Sequence, residues 1–412
     1  MIDSAITCRA CSREGLVLIL DLGRTPLANA LLQTEELNRP EATFPLELVF
    51  CPSCSLVQIS ETVPPEQLFG DYPYFSSFSE TMLRHARGLV DRVCADGGLG
   101  PDSLVIEIAS NDGYLLQYYK ERGIPVLGIE PATNVAQVAV RERGIPTLNK
   151  YFCKMLALEL ARAGAQPDVI HAHNVFAHVP DVNGFVEGIR TVLKPSGRAI
   201  IEAPYVKDMI DGCEFDTIYH EHLCYFSLTA VNRLMRRHGL VVIDVEHAPI
   251  HGGTLRYTVA HEGPGTHASE RTTALLAAEQ AWGVDRIEFY RSFAARVEAL
   301  KDALKKMLCA IKASGGHIAA YGASAKGSTL LNYVGVGRDI LEFVVDRSTV
   351  KQGRYTPGTH LPILPPEHLL EVQPGHVLLL TWNFADEILE QQTEFRRRGG
   401  RFIVPVPSPI VV

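Results

Sequence analysis

Short unbroken apolar runs alternate with amphipathic stretches through the middle of the chain. Runs at 104–108, 126–129, 168–171, 198–203, 240–245 and 254–260 have the length of buried strands. The stretches 80–94, 113–122, 133–143, 153–163, 181–193 and 228–238 carry helical periodicity. From about residue 100 onward this alternation predicts an α/β fold with a parallel sheet. From residue 268 the pattern changes to long helices with few breakers, 274–282 and 289–312, which read as a bridge. Strand, small-residue turn and helix then return at 317–329, with strands at 341–346 and 377–381, and predict a second nucleotide-type sheet. The first residues lack such alternation; Pro26, Pro40 and Pro45 punctuate them and Pro64–Pro65 marks an exit. The expected division is 1–65, 66–265 and 266–412.

The turn after the first of these strands, Ala109-Ser110-Asn111-Asp112-Gly113, sets the cofactor expectation. The following strand ends at Glu130, and a carboxylate about 20 residues past such a turn is placed to hold a ribose diol. A dinucleotide fold needs G-x-G-x-x-G so that backbone can approach a pyrophosphate, and this turn has one glycine beside two polar side chains. S-adenosylmethionine, cationic and without phosphate, suits it better. A purely structural strand–helix turn is the alternative.

Composition narrows the class. The chain has 412 residues, 46% hydrophobic and 21% charged, with a formal net charge of −8, which offers no basic field for nucleic acid. No apolar stretch reaches membrane-spanning length and the start lacks the pattern of a secretion signal, so a cytoplasmic protein is expected. Nine cysteines in such a chain argue for metal or free thiols. Cys8-x-x-Cys11 and Cys51-x-x-Cys54 offer four thiolates, enough to close a tetrahedral zinc site. With no open coordination position, that Zn2+ is expected to be structural, folding a small module.

Two further segments carry chemistry. Tyr219-His220-Glu221-His222 packs a phenol, two imidazoles and a carboxylate into four positions, and such density is costly to bury without use. In an extended or irregular segment alternate residues face alike, which pairs Tyr219 with Glu221, or His220 with His222, on one face. A histidine acting as general acid or base near neutrality fits. The turn Gly322–Thr329 holds two glycines, Lys326 and three hydroxyl residues, which favours a diphosphate at a helix N-terminus, although it is not a Walker loop.

Taken together, Cys8/Cys11/Cys51/Cys54, EIASNDG at 107–113, GIEP at 128–131, HNVFAHVPD at 173–181, YHEHLCYFS at 219–227, HGGTLR at 251–256 and YGASAKG at 321–327 resemble the sugar C-methyltransferase family along essentially the full chain. The resemblance implies a zinc-binding N-terminal module, a central class I methyltransferase Rossmann-like domain and a second, C-terminal Rossmann-like domain. It implies methylation at C-3 of a nucleotide-linked 4-keto-6-deoxy sugar, carried by dTDP, GDP or another nucleotide, with no nucleic acid, membrane or obligate protein partner. By the same resemblance His222 is the base, and Tyr219, Glu221 and His178 orient it or contact the sugar. S-adenosylmethionine is then held by Asn111, Asp112 and Gly113 at its methionine part, by Glu130 at the ribose and by Asn174 near the sulfonium. Tyr72 or Tyr74, His251, Arg256 and Lys326 are expected at the sugar or diphosphate. The rivals are a small-molecule O- or N-methyltransferase and a two-domain NAD-dependent oxidoreductase, the latter disfavoured by the single-glycine turn.

Overall fold

The computed structural model describes residues 6–69, 75–248, 250 and 252–412, and these form three sheets. The N-terminal sheet is antiparallel, with β1 (Val17–Pro26), β2 (Thr43–Phe50) and β3 (Val57–Ile59) in order. Buried Leu20, Leu22, Leu46, Leu48 and Phe50 give it one apolar face. The long helix Ile287–Ala313 packs against β1, with Tyr290 on the Phe50 ring at a centroid distance of 5.1 Å. The expected bridge thus clamps the first module to the last.

The central sheet contains β4 (Val105–Ile108), β5 (Val126–Ile129), β6 (Thr147–Leu148), β7 (Val169–His173) and β8 (Arg198–Pro204), all parallel. A two-residue strand, β9 (Cys224–Tyr225), leaves this region and pairs with β3, completing the N-terminal sheet. Then β11 (Thr254–His261) pairs antiparallel with β8 and β10 (Leu240–Ala248) antiparallel with β11, giving the order β10-β11-β8-β7-β4-β5-β6. The helix expected over 113–122 shrinks to Leu116–Lys120. The cause is local: Ala109, Asn111 and Gly113 have φ of +55°, +49° and +78°, so right-handed helix cannot start before them.

The C-terminal sheet has β12 (Ile318–Tyr321), β13 (Val344–Val345), β14 (Ile363–Leu364), β15 (His376–Leu379), β16 (Arg401–Val404) and β17 (Ile410–Val411), in the order β14-β13-β12-β15-β16-β17. The strand expected over 341–346 is shorter than its apolar run. Strand by strand, β12 to β16 repeat the connectivity of β4 to β8, and β17 is antiparallel as β11 is. Among the described residues no helix is long and apolar enough to cross a membrane.

Candidate functional site

The carboxyl ends of the two parallel sheets face one cavity of about 670 Å3. Pockets for small ligands fall in this range. Asn29 of the first module also reaches it, so all three parts of the chain contribute wall.

Glu130, at the end of β5, lines the cavity while its two carboxylate oxygens accept the backbone N–H groups of Asn111 (2.9 Å) and Ala132 (2.8 Å). One lone pair of each oxygen remains for a diol. Burial pushes its carboxyl up to about 7, against the two amide bonds, which lower it. Asn111 also lines the cavity and accepts the Ser76 N–H at 2.8 Å, which folds segment 75–79 over the site. Asn174, with φ +52°, ends β7, and its Oδ1 is buried without a hydrogen-bond partner. An unsatisfied acceptor and a carboxylate lining the same cavity fit an adenosyl cofactor with a cationic end. Two of the expected residues stand back from the cavity wall. Asp112 is absent from the wall because Ser77 Oγ donates to its carboxylate and Arg143 Nη2 lies 3.5 Å from it. Gly113 packs against Ile145, whose Cγ1 would stand 2.9 Å from an added Cβ, and serves helix–sheet packing.

Residues 219–222 form a turn, closed by His222 N–H to Tyr219 O at 2.9 Å, and this overturns the extended reading. The turn brings Tyr219 and His222 together: Tyr219 Oη lies 2.8 Å from His222 Nε2, and the His178 ring stands 4.7 Å from that of His222. All three line the cavity. The Thr217 carbonyl, 2.9 Å from His222 Nδ1, can only accept, so Nδ1 carries hydrogen and Nε2 presents its lone pair. Burial lowers His178 to about 4, keeping it neutral. His220 points away, to the Pro45 carbonyl at 3.1 Å and the edge of Phe44. Glu221 sits behind the wall, accepts from Asn29 Nδ2 at 2.6 Å, and is pushed by burial up to about 7.

Arg256 is not at the cavity. It lies in a buried polar row across the sheet, 2.6 Å from Glu202 and 2.7 Å from Glu246. Glu202 in turn meets His85 (2.9 Å) and His173 (3.0 Å), and His173 Nε2 meets His171 Nδ1 at 2.8 Å. A guanidinium so committed has no fork left for a ligand. Tyr72, Tyr74 and His251 lie outside the described residues.

At the opposite wall, Ser324 caps the helix Ala325–Val334 through Gly327 N–H (3.0 Å), and Lys326 Nζ is buried without a hydrogen-bond partner, 4.9 Å over the Trp382 ring. Trp382 Nε1 donates to buried Asp216 at 2.6 Å, linking this wall to the segment before the 219–222 turn. Asp346 and Lys351 line the cavity too, and both were missed in the sequence. Asp346 ends the second strand of its sheet, so the rule that selected Glu130 applied to it as well.

The four cysteine sulfurs lie within 4.8 Å of one another, with Cys8–Cys54 at 3.4 Å and Cys11–Cys51 at 3.5 Å. A tetrahedron with Zn–S of 2.3 Å has an edge of about 3.8 Å, so the donors fit zinc. Two matching knuckles present them: Ser12 N–H bonds Cys8 O, and Ser55 N–H bonds Cys51 O, each serine at positive φ.

Family models match residues 8–69 (zinc binding domain), 78–245 (methyltransferase domain) and 249–407 (C-methyltransferase C-terminal domain). The C-methyltransferase NovU of Streptomyces niveus is 36% identical over 405 residues, spanning 98% of this chain and 96% of NovU. A ubiquinone biosynthesis O-methyltransferase of Bartonella tribocorum is 27% identical over 135 residues, 31% of this chain and 53% of its own length. Among solved structures, magnesium protoporphyrin IX methyltransferase of Synechocystis PCC 6803 aligns at 13% identity over 48% of this chain and 92% of that one, with a TM-score of 0.36.

Proposed function

The chain belongs to the C-methyltransferase family, and from that premise we propose that it methylates C-3 of a nucleotide-linked 4-keto-6-deoxy sugar. Its methyl donor is S-adenosylmethionine and its N-terminal metal is structural zinc. The donor supplies an electrophilic methyl; the chain must supply a nucleophilic carbon. A carbon beside a ketone is a weak acid, so a base has to take its proton while donors stabilise the enolate oxygen.

One observation carries the reading: His222 stands at the cavity wall with Nδ1–H held by the Thr217 carbonyl and its Nε2 lone pair turned to Tyr219 Oη, 2.8 Å away. Tyr219 holds that nitrogen until the acceptor carbon takes its place, and its hydroxyl can then receive the new Nε2–H. His178 packs edge-on beside the ring. Glu130, Asn111 and Asn174 hold the donor, while Lys326 and the N-terminal turn of Ala325–Val334 face the acceptor's diphosphate. The helix Leu116–Lys120 is too short and too displaced to serve phosphate, which supports seating the donor on the central sheet.

An O- or N-methyltransferase would need only modest deprotonation and leaves the Tyr219–His222 pair without a task. We further assign 1–65, 66–265 and 266–412 as domains, with β9 crossing the first boundary, and place the protein in the cytoplasm. The test is incubation with dTDP- and GDP-linked 4-keto-6-deoxy sugars and labelled donor. The expected product carries the label on C-3; label on oxygen or nitrogen overturns the proposal.

A further inference from the structure

The segment 215–223, which carries His222, is held from both parallel sheets. From the central sheet, the short turn after β7, Phe176–His178, takes the Leu223 N–H on the Ala177 carbonyl at 2.7 Å and lays the His178 ring 4.7 Å from that of His222. From the C-terminal sheet, the short turn after β15, Trp382–Phe384, sends the Trp382 indole N–H to Asp216 Oδ2 at 2.6 Å. β7 and β15 stand at the same place in the repeated connectivity, so equivalent turns of the two sheets grip opposite ends of one segment.

The grip from the C-terminal side is buried and charged. Asp216 is fully buried, its Oδ1 has no hydrogen-bond partner among the described residues, and Lys326 Nζ, 4.9 Å over the Trp382 ring, offsets its charge. Such a carboxylate holds its indole donor firmly, because losing it would leave a buried charge short of a partner. Phe215 beside it packs on Tyr333 of the helix Ala325–Val334, at a centroid distance of 5.2 Å. Thr217 follows directly, and its carbonyl accepts from His222 Nδ1 at 2.9 Å and from Tyr225 Oη at 3.3 Å. Which nitrogen of His222 carries hydrogen is set by that carbonyl, and where the carbonyl stands is set by residues that the C-terminal sheet holds. Trp382 itself does not line the cavity.

We propose that Trp382 is a positioning residue for the base: through Asp216 its indole N–H fixes the Thr217 carbonyl, and so holds His222 with hydrogen on Nδ1 and the lone pair on Nε2. The proposal rests on His222 as the base and adds to it the part that holds the base in register. The C-terminal domain then shares in deprotonation, beyond walling the cavity.

The test joins kinetics to ¹⁵N spectroscopy of the full-length zinc-loaded protein with labelled histidine and tryptophan. Trp382→Phe keeps a ring beneath Lys326 and deletes only the N–H; Asp216→Leu deletes the acceptor, and Asp216→Asn keeps one. Displacing a base by a fraction of its contact distance predicts that Trp382→Phe and Asp216→Leu lose about ten- to a hundredfold in kcat, with KM for the keto sugar within about threefold. Asp216→Asn should restore most of the turnover. Adenosylhomocysteine should bind all three variants as it binds the parent. In the parent His222 Nε2 should give the signal of a nitrogen without hydrogen, and in Trp382→Phe the hydrogen should be shared between the two ring nitrogens. Unchanged kcat in Trp382→Phe, or a loss of kcat with the His222 signals unmoved, overturns the proposal. The unaltered protein tests it as well, so a variant that fails to fold leaves the question open to measurement: the chain has two tryptophans, and an indole proton of Trp382 that exchanges freely with solvent, or hydrogen on His222 Nε2, overturns it. Adding Trp382→Phe to His222→Asn should cost nothing further. An active His222→Asn brings down the base assignment and this proposal together, whereas a harmless Trp382→Phe beside an inactive His222→Asn overturns this proposal alone.

Discussion

Replacing His222 with asparagine removes one atom position from the proposed chemistry and little else. The Asn amide can still donate to the Thr217 carbonyl, 2.9 Å from Nδ1 in the native ring, but nothing remains at Nε2. General-base catalysis contributes about 10²–10⁴-fold, or roughly 3–5 kcal/mol at 1.36 kcal/mol per decade, so turnover should fall about a thousandfold. Donor affinity should stay within about twofold, because Glu130, Asn111 and Asn174 sit on other strands. Three measurements decide it: methyl transfer under saturating donor, exchange of solvent deuterium into C-3 of the acceptor, and calorimetric binding of S-adenosylhomocysteine. Exchange and transfer should collapse together while binding persists. A variant that retains turnover within tenfold of the parent would falsify the base assignment, and a parallel loss of donor affinity would show that the ring is a structural element of the donor site.

Two other outcomes are expected. Chelating zinc, or changing Cys54 to Ser, should abolish methyl transfer before it affects donor binding, since the zinc knuckle borders β3, β3 holds β9, and β9 follows the turn that carries the proposed base directly. Preserved turnover in metal-free protein, with metal content measured by atomic absorption, would contradict that link. Burial also raises Glu214 to about 8 and Glu130 and Glu221 to about 7. A carboxyl raised in this way stays protonated in the folded chain while the unfolded chain ionises. The stability it contributes is full below the unfolded value and is lost as pH rises through the folded one, at up to about 1.4 kcal/mol per pH unit for each group. His178, lowered to about 4, acts in the opposite sense only below its ordinary value near 6.5. Between pH 6.5 and 8 the unliganded protein should therefore melt at progressively lower temperature, and Glu214→Gln should flatten the slope; a Tm that holds or rises over that range excludes these carboxyls.

Much of the architecture was legible because its signals are local. Apolar run length marked β4, β5, β7, β8, β10 and β11 to within three residues at each end, and paired C-x-x-C spacing marked the metal donors. The failures share a different cause. Whether Asp112 faces a ligand depends on Ser77 and Arg143, distant in sequence, and Arg256 is taken up by Glu202 on a strand that pairs only in the fold. The 219–222 segment carries no turn residue that would distinguish extended from folded backbone, so which side chains meet was decided by tertiary packing. Asp346 obeys the same rule as Glu130, since it follows the second strand of its sheet, but the turn it faces carries the stronger signal of Lys326 and its hydroxyl residues.

The partnership of β3 with β9 fixes an order of events during synthesis. The zinc-bearing segment leaves the ribosome with one edge of its sheet bare, and the strand that covers it follows only after the five parallel strands β4–β8 of the central sheet have been made, on the order of ten to thirty seconds later. Until then the row of unpaired amides along Val57–Ile59 can recruit another nascent chain. An N-terminal fragment ending near residue 69 should therefore tend to aggregate, and supplying the missing strand as a peptide should rescue it.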